Sequence, residues 1–254
     1  MLTVVKLTKR YSSVPAVDDV SFTVEPGKVL GYLGPNGSGK STTVKMLTGL
    51  LVPSQGHILF GGCDIQQQLI EYKSTLGYVP EDAQLYNYLT GREYLQLVGR
   101  LRGLPPKALD RKIDDFLQLF SLYKSRHSAL SSYSKGMRQK ILISAALLHN
   151  PEVLILDEPE SGLDVTSALV FRHLIKELAT KGKIILYSSH VLEVVEKVCS
   201  QIVILHKGCV MANDSVENLR LLMQLPSLGD IFAQLVIAED TEKLARDIVQ
   251  VMEQ

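Results

Sequence analysis

The stretch "GPNGSGKST", Gly34 to Thr42, follows the apolar run "KVLGYL" and opens a helical run from Ser41 to Leu51. Its pattern is G-x-x-x-x-G-K-[ST] between a predicted strand and a predicted helix, the context in which such a loop wraps phosphate. Gly34, Gly37 and Gly39 let backbone N–H groups close around a polyphosphate at the positive end of the helix. Lys40 is spaced to reach the β and γ phosphates, and the Ser41 hydroxyl to bind magnesium. Asn36, Ser38 and Thr42 complete the nucleotide-binding set of this loop.

A triphosphate site of this kind needs a carboxylate for its metal at the end of a neighbouring strand. "VLILDEP" ends in Asp157, with Glu158 one step further out. The two acids divide the work: Asp157 near the magnesium, Glu158 placed to orient or deprotonate the attacking water.

Upstream lies "SSYSKGMRQK", residues 131–140, before the apolar "ILISAALLHN" that Pro151 closes. It reads as a helix start capped by Ser134. Helix N-termini favour acids, yet Lys135, Arg138 and Lys140 crowd this one, with Gly136 among them, so the helix is expected to receive an anion.

The rest of the chain frames these motifs. The N-terminal part alternates short β-like runs with turns: "LTVVKL", "VSFTVEPG", "KVLGYLG" and "HILFGGCDI". The pattern then turns helical, and "TGREYLQLVGRLRG" carries Thr90 and Glu93 in capping-box spacing before Gly103, Pro105 and Pro106. A second helix follows in "ALDRKIDDFLQLFSL", so a helical insertion is expected over about 88–145. Beyond it, "EVLILDEP" and "KIILYSSH" are strands separated by the helical "TSALVFRHLIKELATKG", which implies a parallel sheet with ligands at its carboxyl ends. "QIVILHKGCVMAND" reads as a strand and hairpin, and "DTEKLARDIVQVMEQ" as a closing helix.

The 254 residues suffice for a full hydrophobic core without staples. With 27 basic and 27 acidic residues the balance is zero, so no overall field draws the chain to nucleic acid or anionic lipid. Cys63, Cys199 and Cys209 lack C-x-x-C spacing and fit free thiols in a reducing compartment. No secretory leader and no run of about 18 apolar residues is present, so direct membrane insertion is not expected.

The order of cradle, "SKGMRQ", Asp-Glu strand, "SGLD" and "SSH" resembles the nucleotide-binding subunit of ATP-binding cassette transporters, over residues 1 to about 225. The resemblance implies a P-loop NTPase (RecA-like) α/β core, an N-terminal antiparallel β-subdomain and an inserted α-helical subdomain. It makes 1–225 the cassette and 226–254 a short C-terminal helical extension. By the same resemblance Tyr11 stacks on adenine, His190 touches the γ-phosphate, and Asp164 relays across a subunit interface. Ser134 and Gly136 contact the nucleotide held by a second cassette, in a homodimer or heterodimer around two Mg-ATP. Of the usual signature Leu-Ser-Gly-Gly-Gln, Tyr133 to Met137 here keeps Ser134 and Gly136, and Lys135 and Met137 are among the positions changed. Glu81 stands where a glutamine usually senses magnesium and water, and counts among the metal and nucleotide ligands through its oxygen. Glu160 replaces a usual small or polar residue.

The function implied is ATP binding and hydrolysis coupled to separate membrane-spanning subunits, with the chain peripheral on the cytoplasmic face of the cell membrane. The tyrosine-rich "GYVPEDAQLYNYLTGREYL" suits a groove for such a subunit. The "PED" stretch resembles exporters more than importers. The alternative is a soluble cassette ATPase acting on cytosolic partners, as in iron–sulfur assembly.

Overall fold

The computed structural model describes residues 1–81, 85–236 and 249–252. In chain order its elements begin with β1 (Leu2–Arg10), β2 (Pro15–Val24), β3 (Val29–Leu33), α1 (Lys40–Leu47), β4 (Gln55–Phe60), β5 (Cys63–Asp64), α2 (Leu69–Thr75) and β6 (Leu76–Val79). Then come α3 (Gly91–Leu101), α4 (Pro106–Leu119), α5 (Lys135–Leu147), β7 (Val153–Asp157), α6 (Val165–Thr180) and β8 (Ile184–Ser188). The chain continues through α7 (Leu192–Val198), β9 (Gln201–His206), β10 (Cys209–Asp214), α8 (Val216–Met223) and α9 (Leu228–Val236).

Two sheets result: a four-stranded antiparallel sheet in the order β2-β1-β4-β5, and a six-stranded sheet in the order β10-β9-β3-β8-β7-β6. In the second sheet every pairing is parallel except that of β10 with β9. Every residue of β3, β7 and β8 is buried, as expected of central parallel strands covered on both faces. Alternate residues divide the core between the two faces. Leu30, Tyr32, Val153, Ile155, Ile184 and Leu186 pack with α1 and the antiparallel sheet. Leu33, Leu154, Leu156, Ile185 and Tyr187 pack on the other side with Leu95, Ile113, Ile141 and Phe171 of the helices.

The register then positions the chemistry. Tyr32 of β3 and Asp157 of β7 both lie opposite Ser188 of β8, so three strands end side by side. The strand order reverses around β3, whose neighbours are β8 and β9. A crevice at such a reversal is where open α/β sheets bind their ligands.

The region expected as a helical insertion, 88–145, contains α3, α4 and most of α5. The capping box of α3 forms as the spacing predicts: Glu93 N–H donates to Thr90 Oγ1 at 3.2 Å, and Thr90 N–H donates to Glu93 Oε2 at 2.8 Å. Arg92 pairs with Asp110 and Asp114 and clasps α3 to α4. The apolar body of α5 runs on beneath the six-stranded sheet, because Ile141, Ile143 and Ala146 belong to the same cluster as Leu154 and Leu156.

The sequence pattern did not mark α2, β6, α7 or α8. Of the C-terminal region 226–254, α9 and the helical residues 249–252 are seen, and the remainder of the expected closing helix lies outside the described residues. Among the described residues no helix is long and apolar enough to cross a membrane.

Candidate functional site

The cradle residues sit where β3 hands over to α1. Gly39 caps the helix in the left-handed region (φ 104°), and Gly37 is also left-handed (φ 76°), conformations that a side chain would strain. A Cβ at Gly39 would run into the carbonyl oxygen of Ala16, so β2 presses directly on the loop. The first-turn amides of α1 have no partner within the helix, and no acid stands among them. These donors therefore open onto the crevice with the helix dipole behind them.

The crevice has a volume of about 650 Å³ and is lined by Ala16, Asn36, Gly37, Gly39, Lys40, Ser41, Thr42, Glu81, Asp157, Glu158 and His190. The sequence thus names nearly the whole lining. Ala16 is the exception, since nothing in the pattern brings β2 against the cradle. Gly34 and Ser38 support the loop from below. Ser38 is buried and holds Gly208 N–H on its carbonyl oxygen at 3.0 Å. Its hydroxyl is buried without a partner. Tyr11 is 64% exposed and outside the lining, with the Lys9 ammonium 5.6 Å from its ring centroid.

Charge is concentrated in this crevice. Lys40 Nζ folds back to donate to the carbonyl oxygens of Gly34 (2.6 Å) and Pro35 (3.1 Å). Burial lowers its pKa, and the carboxylates of Glu158, Asp157 and Glu81 pull the other way. The Asp157 carboxyl is pushed above the usual carboxylate range chiefly by burial, with Glu81 and Glu158 adding to the rise. Three acids facing a single lysine form a site short of positive charge. The hard oxygen donors available, from Ser41, Asp157 and Glu81, are the kind magnesium takes in small number beside substrate phosphates.

Glu158 has φ 47°, left-handed for a residue with a side chain. Its amide donates to Ser188 O at 3.0 Å, and its Oε1 lies 2.9 Å from His190 Nδ1. The His190 side chain is 80% exposed, while that of Glu158 is 14% exposed. The pair thus sits at the mouth of the crevice with the acid inside.

Ser134, Gly136 and Asp164 do not line the crevice. Ser134 Oγ caps α5 by accepting from Met137 N–H at 3.2 Å. Asp164 caps α6 by accepting from Ser167 N–H (2.9 Å) and Oγ (2.7 Å), bonds that hold its carboxyl down at about 2. Gly136 packs against the carbonyl of Gly162, where a Cβ would collide. The cluster of cations at the start of α5 differs from the expectation. Arg138 is spent on the carbonyl oxygens of Leu130 and Ser131, each at 3.2 Å, and Lys140 faces Asp164 at 3.6 Å. The amides and Lys135 remain for an incoming anion, because the other two charges hold neighbouring loops.

Glu160, which the sequence left without a physical account, is fully engaged by Arg172 and Tyr187. Gln139, buried on α5, donates to Pro159 O at 2.8 Å. Sequence reasoning missed this link. Gln139 lies in the polar stretch 131–140 ahead of the apolar run, so nothing in the pattern marked it as buried.

Comparison with known proteins agrees with this geometry. The sequence profile described as "ABC transporter" matches residues 17–161. The ABC transporter ATP-binding protein NatA of Bacillus subtilis (strain 168) is 39% identical over 224 residues, which are 86% of this chain and 91% of that protein. A solved structure of an ATP-binding subunit of an ABC transporter is 34% identical and superposes with a TM-score of 0.87, covering 92% of this chain and 99% of its own. The dimeric post-hydrolysis state of the ATP-binding cassette MJ0796 bound to ADP and Pi shares the fold at a TM-score of 0.78 and 22% identity, over 85% of this chain and 98% of that one. With its cradle, its Asp-Glu strand end and its two-sheet architecture, this chain belongs to the ABC transporter family as a nucleotide-binding ATPase cassette.

Proposed function

We propose that the chain binds Mg-ATP in the crevice between the start of α1 and the ends of β7 and β8, and hydrolyses it with Glu158 as base. The observation that carries this reading is the meeting of Lys40, Asp157, Glu158 and His190 around one cavity, with Glu158 and His190 in contact at 2.9 Å. The amides of the Gly34–Thr42 loop surround the β and γ phosphates, and Lys40 leaves the carbonyl oxygens of Gly34 and Pro35 to pair with them. Ser41, Asp157 and Glu81 would hold magnesium, which supplies charge neutralisation across the phosphates when bound. Glu158 takes a proton from the attacking water, and His190 orients that carboxylate and reaches the γ-phosphate. Tyr11 swings over the adenine from its exposed position.

Ser134 and Asp164 are exposed and, with Gly136, lie outside the crevice, which suits a two-fold arrangement in which each cassette closes the nucleotide site of another. The energy difference between closed and open pairs then drives membrane-spanning partner subunits. Tyr86 and Tyr88, 52% and 78% exposed, offer the docking groove for them at the cytoplasmic face. Outward transport rests on the resemblance around Pro80, Glu81 and Asp82. The cytosolic ATPase reading is less favoured by the transporter names of the relatives.

The test is affinity capture of the chain from detergent-solubilised membranes. A polytopic membrane protein recovered in about equal amount supports the transporter reading. Soluble partners alone, with the chain missing from membranes, reject it.

A further inference from the structure

Glu160 follows Pro159 in the turn that carries Glu158, and its side chain is only 16% exposed. Both carboxylate oxygens accept from Arg172 of α6: Nε at 2.9 Å to Oε1 and 3.0 Å to Oε2, and Nη2 at 2.6 Å to Oε2. The hydroxyl of Tyr187 on β8, itself fully buried, donates to Oε1 at 2.7 Å. A forked guanidinium contact of this kind fixes direction as well as distance. The carboxylate is thereby anchored at once to a helix and to the central sheet, one residue before Ser188.

The residue two places upstream needs such support. Glu158 holds a left-handed backbone that an unsupported residue would leave, and such conformations persist only where the surroundings over-determine them. Ser188 O fixes its amide and Gln139 fixes Pro159 O. Downstream, Leu163 N–H closes on Glu160 O at 3.0 Å. Within this turn Glu160 brings a charged side chain to bear on α6 and β8 at once.

We propose that Glu160 is a positioning residue for ATP hydrolysis: clamped by Arg172 and Tyr187, it keeps the turn in the shape that holds the Glu158 carboxylate against His190 and toward the attacking water. This rests on the reading of Glu158 as the base. The brace acts on the chemical step and leaves the phosphate cradle, on another loop, untouched.

The test uses the full-length chain with Glu160→Gln, Tyr187→Phe and Glu158→Gln as reference, measuring kcat, KM for Mg-ATP, Tm and the lifetime of the ATP-bound dimer by light scattering. Glu160→Gln should lower kcat by about 10- to 100-fold, the cost of misplacing a catalytic group by around 1 Å. Its KM should stay within about twofold, the signature of a loss confined to the transition state. The ATP-bound dimer should outlive that of the native chain, because hydrolysis ends it, whereas a merely structural lesion shortens it. Tyr187→Phe, which keeps the ion pair, should lose less in kcat, again without change in KM.

A Glu160→Gln protein that melts earlier but keeps native kcat overturns the proposal. If that variant fails to fold, Tyr187→Phe decides by the same split. An active Glu158→Gln protein removes the base and this proposal together. An inactive Glu158→Gln beside a fully active Glu160→Gln removes this proposal alone.

Discussion

Oε1 of Glu158 lies 2.9 Å from Nδ1 of His190, which joins the strained residue after β7 to the residue that ends the turn after β8. Ser189 Oγ approaches the other oxygen at 3.4 Å, a weaker hold. The imidazole is thus the main restraint on the carboxylate, and it stands at the solvent-facing rim of the crevice. In the proposed mechanism the base is therefore ordered chiefly by the group that reaches the γ-phosphate.

Glu158→Gln should lower kcat by roughly 10² to 10⁴, the usual worth of a general base, while Mg-ATP binding persists. His190→Ala should also lower kcat, and the double variant should be little worse than Glu158→Gln, since residues acting as a unit are non-additive. Steady-state rates of the three proteins decide it. Multiplying penalties would show that His190 acts apart from Glu158.

Asp157→Asn separates binding from stability. Burial raises the pKa of Asp157, so its ionised form burdens the nucleotide-free fold at neutral pH. That burden is lost as pH falls through the raised pKa of the folded state, and it is gone below the ordinary value of 3.8, where the group is protonated folded or unfolded. The variant should therefore melt higher than the native chain at pH 7, with the gain shrinking toward acid pH. Magnesium-dependent ATPase should be lost. Melting curves across pH check the sign, and a gain independent of pH would reject burial as its origin.

Gly136→Ala tests how α5 is seated. Its Cβ would collide with the Gly162 carbonyl, a backbone atom that cannot rotate away. Overpacking of this kind costs about 1–3 kcal/mol, and denaturant unfolding should register it. The neighbouring contacts, Gln139 to Pro159 and Lys140 to Asp164, should loosen with it, so ATPase should fall too. Native stability in this variant would mean that α5 can tilt freely off the turn.

Much of this site can be read from the chain because its chemistry is local. The cradle, Asp157 with Glu158, and the caps Thr90 and Ser134 each depend on residues within a few positions of one another. The central strands β3, β7 and β8 are apolar up to their carboxyl ends and declare themselves. What escaped depends on distant partners. β6 is four residues long between a short helix and a turn, and only pairing with β7 makes it a strand. Ala16 enters the crevice through the packing of β2 on the cradle, and Glu160 finds Arg172 and Tyr187 across 12 and 27 positions of sequence. Local pattern carries no trace of either encounter.

The proposed division of the site between two chains makes the last prediction. Lys40→Ala disables the cradle of its own chain, and Ser134→Glu places an anion where another cassette's phosphate would sit. Each variant alone should be nearly inactive. In a mixture, a heterodimer pairs one intact cradle with one intact Ser134 segment, and random two-fold pairing restores about one quarter of the native sites. ATPase rates of equimolar mixtures, measured against each variant alone, should show that recovery. Additive inactivity would place Ser134 in the same chain's site and end the shared-site reading, while leaving the cradle assignment to stand on Lys40→Ala alone.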